Sequence, residues 1–175
     1  MPRIEVDYRD YFRPLANGLQ SGGLLLVSND ADGKPNPITI GWATLGPIWG
    51  RGVFVAMIRP SRYTFGLIER TGDFTVNLLP KGMARALGIC GTRSGRDTDK
   101  FAAAGLTPAP SQHVLSASIA EAVLTLECVV VEKSDMAPEW LSKAITATSY
   151  ADGDFHRFYF GEILATYADD SLIVR

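Results

Sequence analysis

The sequence predicts a mainly β protein, an antiparallel barrel with helical excursions, and three observations carry that expectation. Apolar runs rich in Val, Leu and Ile recur at 23–28, 37–42, 52–58, 74–78, 122–133 and 156–166, and several are bounded by Gly, Pro, Asn or Asp. These runs follow one another mostly strand to strand. The helical stretches between them are too few and too short for a βαβ succession. No dinucleotide fingerprint opens a helix either: Gly50-Arg-Gly52 is followed by Val55 where a third glycine belongs, and no Walker-type loop occurs.

The elements follow in order. Gly23–Ser28 and Pro37–Trp42 flank a polar segment containing Asp32-Gly33, the pattern of a β-hairpin. Gly52–Ile58 is apolar on both faces and predicts a buried strand. Phe74–Leu78 alternates apolar and polar, the period of a half-buried strand. Between those two, Arg59–Gly72 holds a short helix that Ser61 can cap and Gly72 can end. Further helices are expected over Lys81–Leu87 and Thr98–Ala104, the last capped by Asp97 or Asp99. Beyond Pro108 and Pro110, Ala122–Lys133 is a long strand, and His156–Thr166 and Leu172–Val174 are closing strands. No repeat, low-complexity tract or linker divides the chain, so 1–175 is expected to be one domain.

Composition narrows the function. The 175 residues carry 17 Lys or Arg against 19 Asp or Glu, with 46% hydrophobic and 21% charged residues, which suits a soluble globular chain. A net charge of −2 argues against nucleic acid as a partner. The charge is uneven, however: residues 51–100 hold nine Lys or Arg against four Asp or Glu, which suggests a local anion site. Cys90 and Cys128 form no close pair and no ligand cluster, so no disulfide framework and no metal site is expected. Met1–Asp10 is acidic and lacks the apolar core of a signal peptide, and the uncharged stretch Ala102–Ala120 is interrupted by prolines, glycine and serines. Together these features point to a reducing cytoplasm and no membrane partner.

Two stretches are built for an anion. Arg59-Pro-Ser-Arg-Tyr-Thr64 lies between a buried strand and a helix start. Free N–H groups, the planar donors of Arg59 and Arg62, and the hydroxyls of Ser61 and Thr64 can all serve a phosphate there. The alternative is a helix cap with two solvated arginines. In the second stretch, Gly91–Phe101, small residues (Gly91, Ser94, Gly95) alternate with Arg93, Arg96 and Lys100; the alternative is a surface turn whose aspartates pair with its own bases. Gly41, inside a strand pattern, marks a bulge or a close backbone approach, and Trp42 beside it can lie along a flat ring or enter the core. Asn77 is a polar residue in an apolar strand, facing ligand or solvent. His156 shares a strand face with Phe158 and Phe160 and suits a structural role as well as a chemical one. No Ser-His-Asp order stands out, and Cys90 has no histidine near it in sequence.

In their order along the chain these stretches resemble the flavin reductase-like, FMN-binding split-barrel family, and its flavoredoxin-like branch in particular. The motifs are Asp-Gly-Lys-Pro-Asn36 leading to Thr39-Ile-Gly-Trp42, Ile58-Arg-Pro-Ser-Arg-Tyr-Thr64, Gly72-Asp-Phe-Thr-Val-Asn77, Cys90–Phe101 with Gly105-Leu-Thr-Pro108, Leu126-Glu-Cys128, and His156 with Gly161-Glu-Ile163. The resemblance implies a homodimer of Greek-key split β-barrels with one FMN per protomer. It implies that Thr39, Gly41, Trp42 and Ala43 lie along the flavin, and that Arg59, Ser61, Arg62 and Thr64 hold its phosphate with Asn77 close by. Gly91, Ser94, Gly95 and Lys100 belong to the loop that closes over the cofactor, and His156 falls near the ring as the one catalytic candidate. Members of the family turn quickly from the Leu-Glu-Cys strand to that histidine; here Asp135–Asp154 intervenes as an added helix or lid.

The activity so implied is FMN-dependent transfer of hydride from NAD(P)H, with electrons passed on to free flavin, a metal complex or a protein acceptor. The cofactor carries such chemistry without a side-chain acid or base. The alternative is a flavoredoxin-like electron carrier that holds FMN without NAD(P)H activity of its own. A weaker third expectation is a barrel binding another phosphorylated ligand.

Overall fold

The computed structural model describes residues 3–172. Strands β1 (Arg3–Glu5), β2 (Leu24–Asn29), β3 (Pro35–Ile40), β4 (Ala43–Ile48), β5 (Arg51–Ile58), β6 (Asp73–Leu78), β9 (Leu124–Asp135) and β10 (Arg157–Asp169) form one antiparallel sheet, and β7 (Pro108–Ala109) pairs with β8 (Ser118–Ile119) in a small ribbon. The large sheet runs β3-β2-β6-β9-β10-β5-β4, with β1 added to β10. Its ends, β3 and β4, do not pair, so the barrel is split. Helix α1 (Phe12–Gln20) precedes β2, α2 (Tyr63–Thr71) links β5 to β6, and α3 (Ala84–Thr92) and α4 (Lys100–Ala104) follow β6. The expected strand over Leu172–Val174 is not formed at Leu172, which lies in a turn, and its other two residues lie outside the described ones.

Burial explains β2 directly. All of Leu24–Val27 is buried because the strand is covered on both faces. Leu24 and Leu26 join Phe54, Phe74, Val76, Leu126 and Tyr159 inside the barrel. Leu25 and Val27, pointing the other way, pack with Ala86, Cys90, Phe101 and Ile119 beneath α3 and α4. This second layer holds those helices against β3.

Helix α2 ends where the sequence predicts, at Gly72, whose φ of 68° is in the left-handed region. Its start differs from expectation. Arg62 is the N-cap, and the Ser61 hydroxyl donates to Asp154 Oδ2 at 2.6 Å instead of capping. Strand β6 also differs: Asp73–Asn77 are buried on both faces, with Leu78 half-buried, because 115–119 covers the polar face. Asp73 accepts from Leu115 N at 2.8 Å and Ser116 N at 3.1 Å, and Thr75 Oγ1 donates to the Ala117 carbonyl at 2.7 Å.

The intervening segment between β9 and β10 contains a 3-10 turn (Pro138–Trp140) and helix α5 (Lys143–Ser149). Its base is strand, since Arg157 pairs with Asp135 in the ladder and holds its carboxylate through Nε at 2.6 Å and Nη2 at 2.8 Å. Its far end returns over the start of α2, where the site lies.

Candidate functional site

Two adjoining depressions meet at Ile38 and Arg62, between the end of β3, the start of α2 and the loop after α3. The larger, about 210 Å³, is lined by Thr39–Trp42, Met57, Ile58, Arg59 and His156. The smaller, about 110 Å³, is lined by residues 61–64, 90–96 and Lys100. It gathers four bases, Arg62, Arg93, Arg96 and Lys100, and among the described residues no carboxylate lines it. The aspartates of the loop do not neutralise them: Asp99 caps α4 through Ala102 N and pairs with Lys34 at 3.4 Å. Self-pairing within the loop, the alternative drawn from sequence, is thus not what forms.

Arg62 is the pivot. It lines both depressions, and among the described residues its guanidinium has no hydrogen-bond or ion-pair partner. It is close enough to Lys100 and His156 to depress the pKa of each. A cation in that position attracts an anion and supplies a planar donor fork. The first turn of α2 beside it adds peptide N–H groups free of helical partners.

Lys100 is 4% exposed, and its ammonium donates to the carbonyls of Pro37 at 2.9 Å and Cys90 at 3.0 Å. Burial, aided by Arg62 and opposed by Cys90, lowers its pKa. Rather than closing over a ligand, Lys100 ties α3 and α4 to β3 from beneath, with a third N–H left for an anion. Gly91 and Gly95 serve that packing too. A Cβ on Gly91 would stand 3.3 Å from Thr39 Cβ, and one on Gly95 would fall 1.9 Å from Asn36 Oδ1. Ser94 turns the loop, accepting at its carbonyl from Thr98 N at 3.1 Å and at Oγ from Arg96 N at 3.2 Å.

The strand side offers a flat wall. β3 is the last strand of its sheet, so its outer edge has no ladder partner among the described residues. Gly41 is exposed, and a Cβ there would meet nothing within 4 Å, which leaves the backbone open to a planar body. Trp42 is 47% exposed and lies in the site, with its ring 5.3 Å from that of His156, instead of entering the core. Thr39 is half-buried and donates to the Leu87 carbonyl at 2.6 Å. Ala43 begins β4 opposite Ala56 and packs on the core.

Four expectations need correction or refinement. Asn77 lines neither depression. It is fully buried, donating to Leu25 O at 3.3 Å and Thr75 Oγ1 at 2.9 Å and accepting from Ile119 N at 3.1 Å and Thr125 Oγ1 at 3.0 Å. Four internal partners exhaust its amide, so it is a core crosslink and not a ligand contact. Thr64 is 1% exposed and its hydroxyl accepts from Asn36 Nδ2 at 2.9 Å, so it braces the site wall. Arg59 turns its guanidinium to the 135–154 segment, donating to Ser149 O at 2.8 Å and Asp154 O at 3.1 Å while lying 5.0 Å over the Tyr150 ring. Ser61 is likewise held by Asp154. The segment has taken two of the four groups assigned to a phosphate.

His156 is buried, and Nδ1 lies 2.7 Å from the Tyr150 hydroxyl. Burial first, then Arg59 and Arg62, hold its pKa down to about 4 against the pull of Asp154, so the ring is neutral at pH 7. Sequence reasoning missed Tyr150 and Asp154, which come from the intervening segment and carry no motif. Arg96, grouped with the loop, also stacks 5.4 Å from the Tyr63 ring. Among the described residues no group of His, Cys, Asp and Glu could hold a metal ion, and no helix is long and apolar enough to cross a membrane.

Cys90 borders the smaller depression without being available to it. Its side chain is fully buried, and burial pushes the thiol up to about 11; Cys128 is pushed up as well. Because the thiolate is the reactive form, the native protein is expected to resist iodoacetamide at pH 8 and to take up two labels once denatured. Rapid native labelling, read by intact mass, would contradict this burial.

The arrangement suits a monophosphate ester bearing a planar body: bases at one end, an open strand edge at the other, and Arg62 where they join. The chain matches the Flavin reductase like domain family over residues 18–173. A protein of Pyrococcus abyssi without an assigned function is 30% identical over 148 residues, covering 84% of this chain and 74% of that one. The flavoredoxin of Desulfovibrio vulgaris superposes with a TM-score of 0.69 at 25% identity, over 85% of this chain and 69% of that one. An FMN-binding protein from Thermus thermophilus shares the fold, with a TM-score of 0.68 at 20% identity over 86% and 72% of the two chains. A match running through nearly every described strand, together with a split sheet of this order, means that the chain belongs to the flavin reductase-like family.

Proposed function

We propose that the protein is an FMN-dependent oxidoreductase of the flavin reductase type, acting in the cytoplasm as a homodimer of one domain per chain. The observation that carries it is the carboxylate-free cluster of Arg62, Arg93, Arg96 and Lys100, joined to the open edge of β3 in a chain of this family. Arg62 and the first turn of α2 bind the phosphate, and Ser94 and Gly95 shape the loop around it. Residues Thr39–Trp42 lie along the ring system, with Gly41 leaving the space that a side chain would fill. His156 stands at the ring end as a neutral hydrogen-bonding group and not as a proton carrier at pH 7, since its conjugate acid is held near 4.

When bound, FMN supplies the hydride and electron chemistry. The chain's own residues position it, provide positive charge where its phosphate sits, and cover its rim with Trp42 and the 135–154 segment. NAD(P)H is the electron donor in this proposal, and the acceptor is free flavin, a metal complex or a protein.

The similarity to flavoredoxin favours a second reading, an FMN-holding electron carrier with no nicotinamide reaction of its own. Purified protein is expected to take up FMN and show the flavin absorption bands; a colourless protein that takes up none sinks both. Anaerobic mixing with NADH and NADPH then separates them. Bleaching of the flavin band within seconds supports the reductase, and a flavin that stays oxidised with both donors supports the carrier.

A further inference from the structure

We propose that Tyr150 is a positioning residue: its hydroxyl donates to His156 Nδ1 and so fixes that ring as an Nε2–H donor at the ligand depression, which there takes an acceptor oxygen or nitrogen. The ligand-side consequence rests on the FMN reading; the fixed tautomer does not.

The direction of the hydrogen bond follows from what each atom can reach. Tyr150 is 3% exposed, and His156 Nδ1, 2.7 Å away, is the one hydrogen-bond partner of its hydroxyl among the described residues. If Nδ1–H were the donor, the phenol proton would be left in a buried place with no acceptor. If the phenol donates, its proton and the Nδ1 lone pair are satisfied together. The proton of the neutral imidazole then sits on Nε2. That nitrogen has no partner among the described residues, yet it is not among the buried unpartnered atoms, so it reaches the open side of the depression that His156 lines.

Tyr150 belongs to the segment that interrupts the family pattern and is held by groups just outside it. Phe155 stacks on its ring at 5.0 Å with 22° between planes, and Arg59 lies 5.0 Å over it. The same Arg59 ties down Ser149 and Asp154, on either side of the tyrosine. The groups around the pair leave it uncharged. Tyr150 is raised, mainly by burial, and His156 is lowered by burial, Arg59 and Arg62, with Asp154 opposing. An imidazole beside two arginines would otherwise exchange its proton between two nitrogens; the phenol removes that freedom. The segment therefore does more than cover the site, because it sets the donor that one end of the site presents.

The test is long-range 1H–15N correlation on 15N-histidine-labelled protein at pH 7, without added flavin, using His113→Gln so that His156 alone is observed. The expected spectrum is that of the Nε2–H tautomer, moving toward a mixture in Tyr150→Phe. A wild-type spectrum dominated by Nδ1–H overturns the proposal, and so does a tautomer that Tyr150→Phe leaves unchanged. Should the phenylalanine variant not fold, the parent spectrum decides alone. With FMN present, Tyr150→Phe is expected to raise the dissociation constant about three- to tenfold. Failure of the parent protein to bind FMN at all would count against the functional reading and leave the tautomer result standing.

Discussion

Replacing Arg62 by alanine is expected to weaken FMN binding about 10- to 100-fold, with little change in stability. Two facts separate binding from folding here. The guanidinium has no partner within the described chain, so its removal strands no internal acceptor, and substitutions away from such features cost within about 0.5 kcal/mol. It also stands where the two depressions join, beside three other bases and no carboxylate. A hydrogen bond to a charged group contributes about 1.5–3 kcal/mol, which sets the range of the expected loss. Arg62→Lys is expected to recover part of the affinity, since it keeps the charge but not the planar fork. Fluorescence titration decides: an unchanged dissociation constant in Arg62→Ala removes the phosphate from this depression. Salt should reproduce the effect in the parent protein, because Arg62, Arg93 and Arg96 are exposed to solvent and are screened.

The contrast with Arg59 shows how far sequence could see. Both arginines lie in one hexapeptide, and composition treats them alike. Only the segment 135–154, more than seventy residues on, separates them, by offering Arg59 two carbonyls and an aromatic face. Such long-range capture leaves no local trace. What was legible is local: the Asp32-Gly33 hairpin, the apolar run of β5, Gly72 ending α2, and Asp99 capping α4. What was not legible had its signal cancelled. Helix α1 contains Pro14, Asn17 and Gly18, poor helix formers, and forms because Leu15 and Gly18 pack onto the barrel. Strand β4 contains Gly46 and Pro47, a pattern that demotes a strand. Pro47 is tolerated because β4 is an edge and, among the described residues, has no second neighbour to donate to. The polar alternation of β6 indicated one wet face, whereas a covering loop supplied the hydrogen bonds that water would have made.

Asn77→Ala is expected to lower stability by about 3 kcal/mol and leave FMN affinity unchanged within about twofold, the reverse of the Arg62 result. The amide joins four parts of the molecule. It bonds β2 through the Leu25 carbonyl, its own strand through Thr75, β8 through Ile119 N, and β9 through the Thr125 hydroxyl. Alanine leaves Ile119 N without its acceptor in a fully buried place, and a stranded buried group costs about 1–3 kcal/mol. It also leaves space where the amide stood, too enclosed for the barrel wall to collapse freely. For a chain of this size each kcal/mol moves the melting temperature by about 2–4 °C, so a fall of about 6–12 °C is expected. Urea unfolding of the apoprotein measures the loss, and titration at a temperature where both proteins are folded measures the affinity. A stable variant with weakened FMN binding would return Asn77 to the neighbourhood of the cofactor, where the family resemblance first placed it. The opposite pattern would leave β6 as the strand that holds the barrel together, and it would fit the proposal that the ligand is met one layer away, at the edge of β3 and the start of α2.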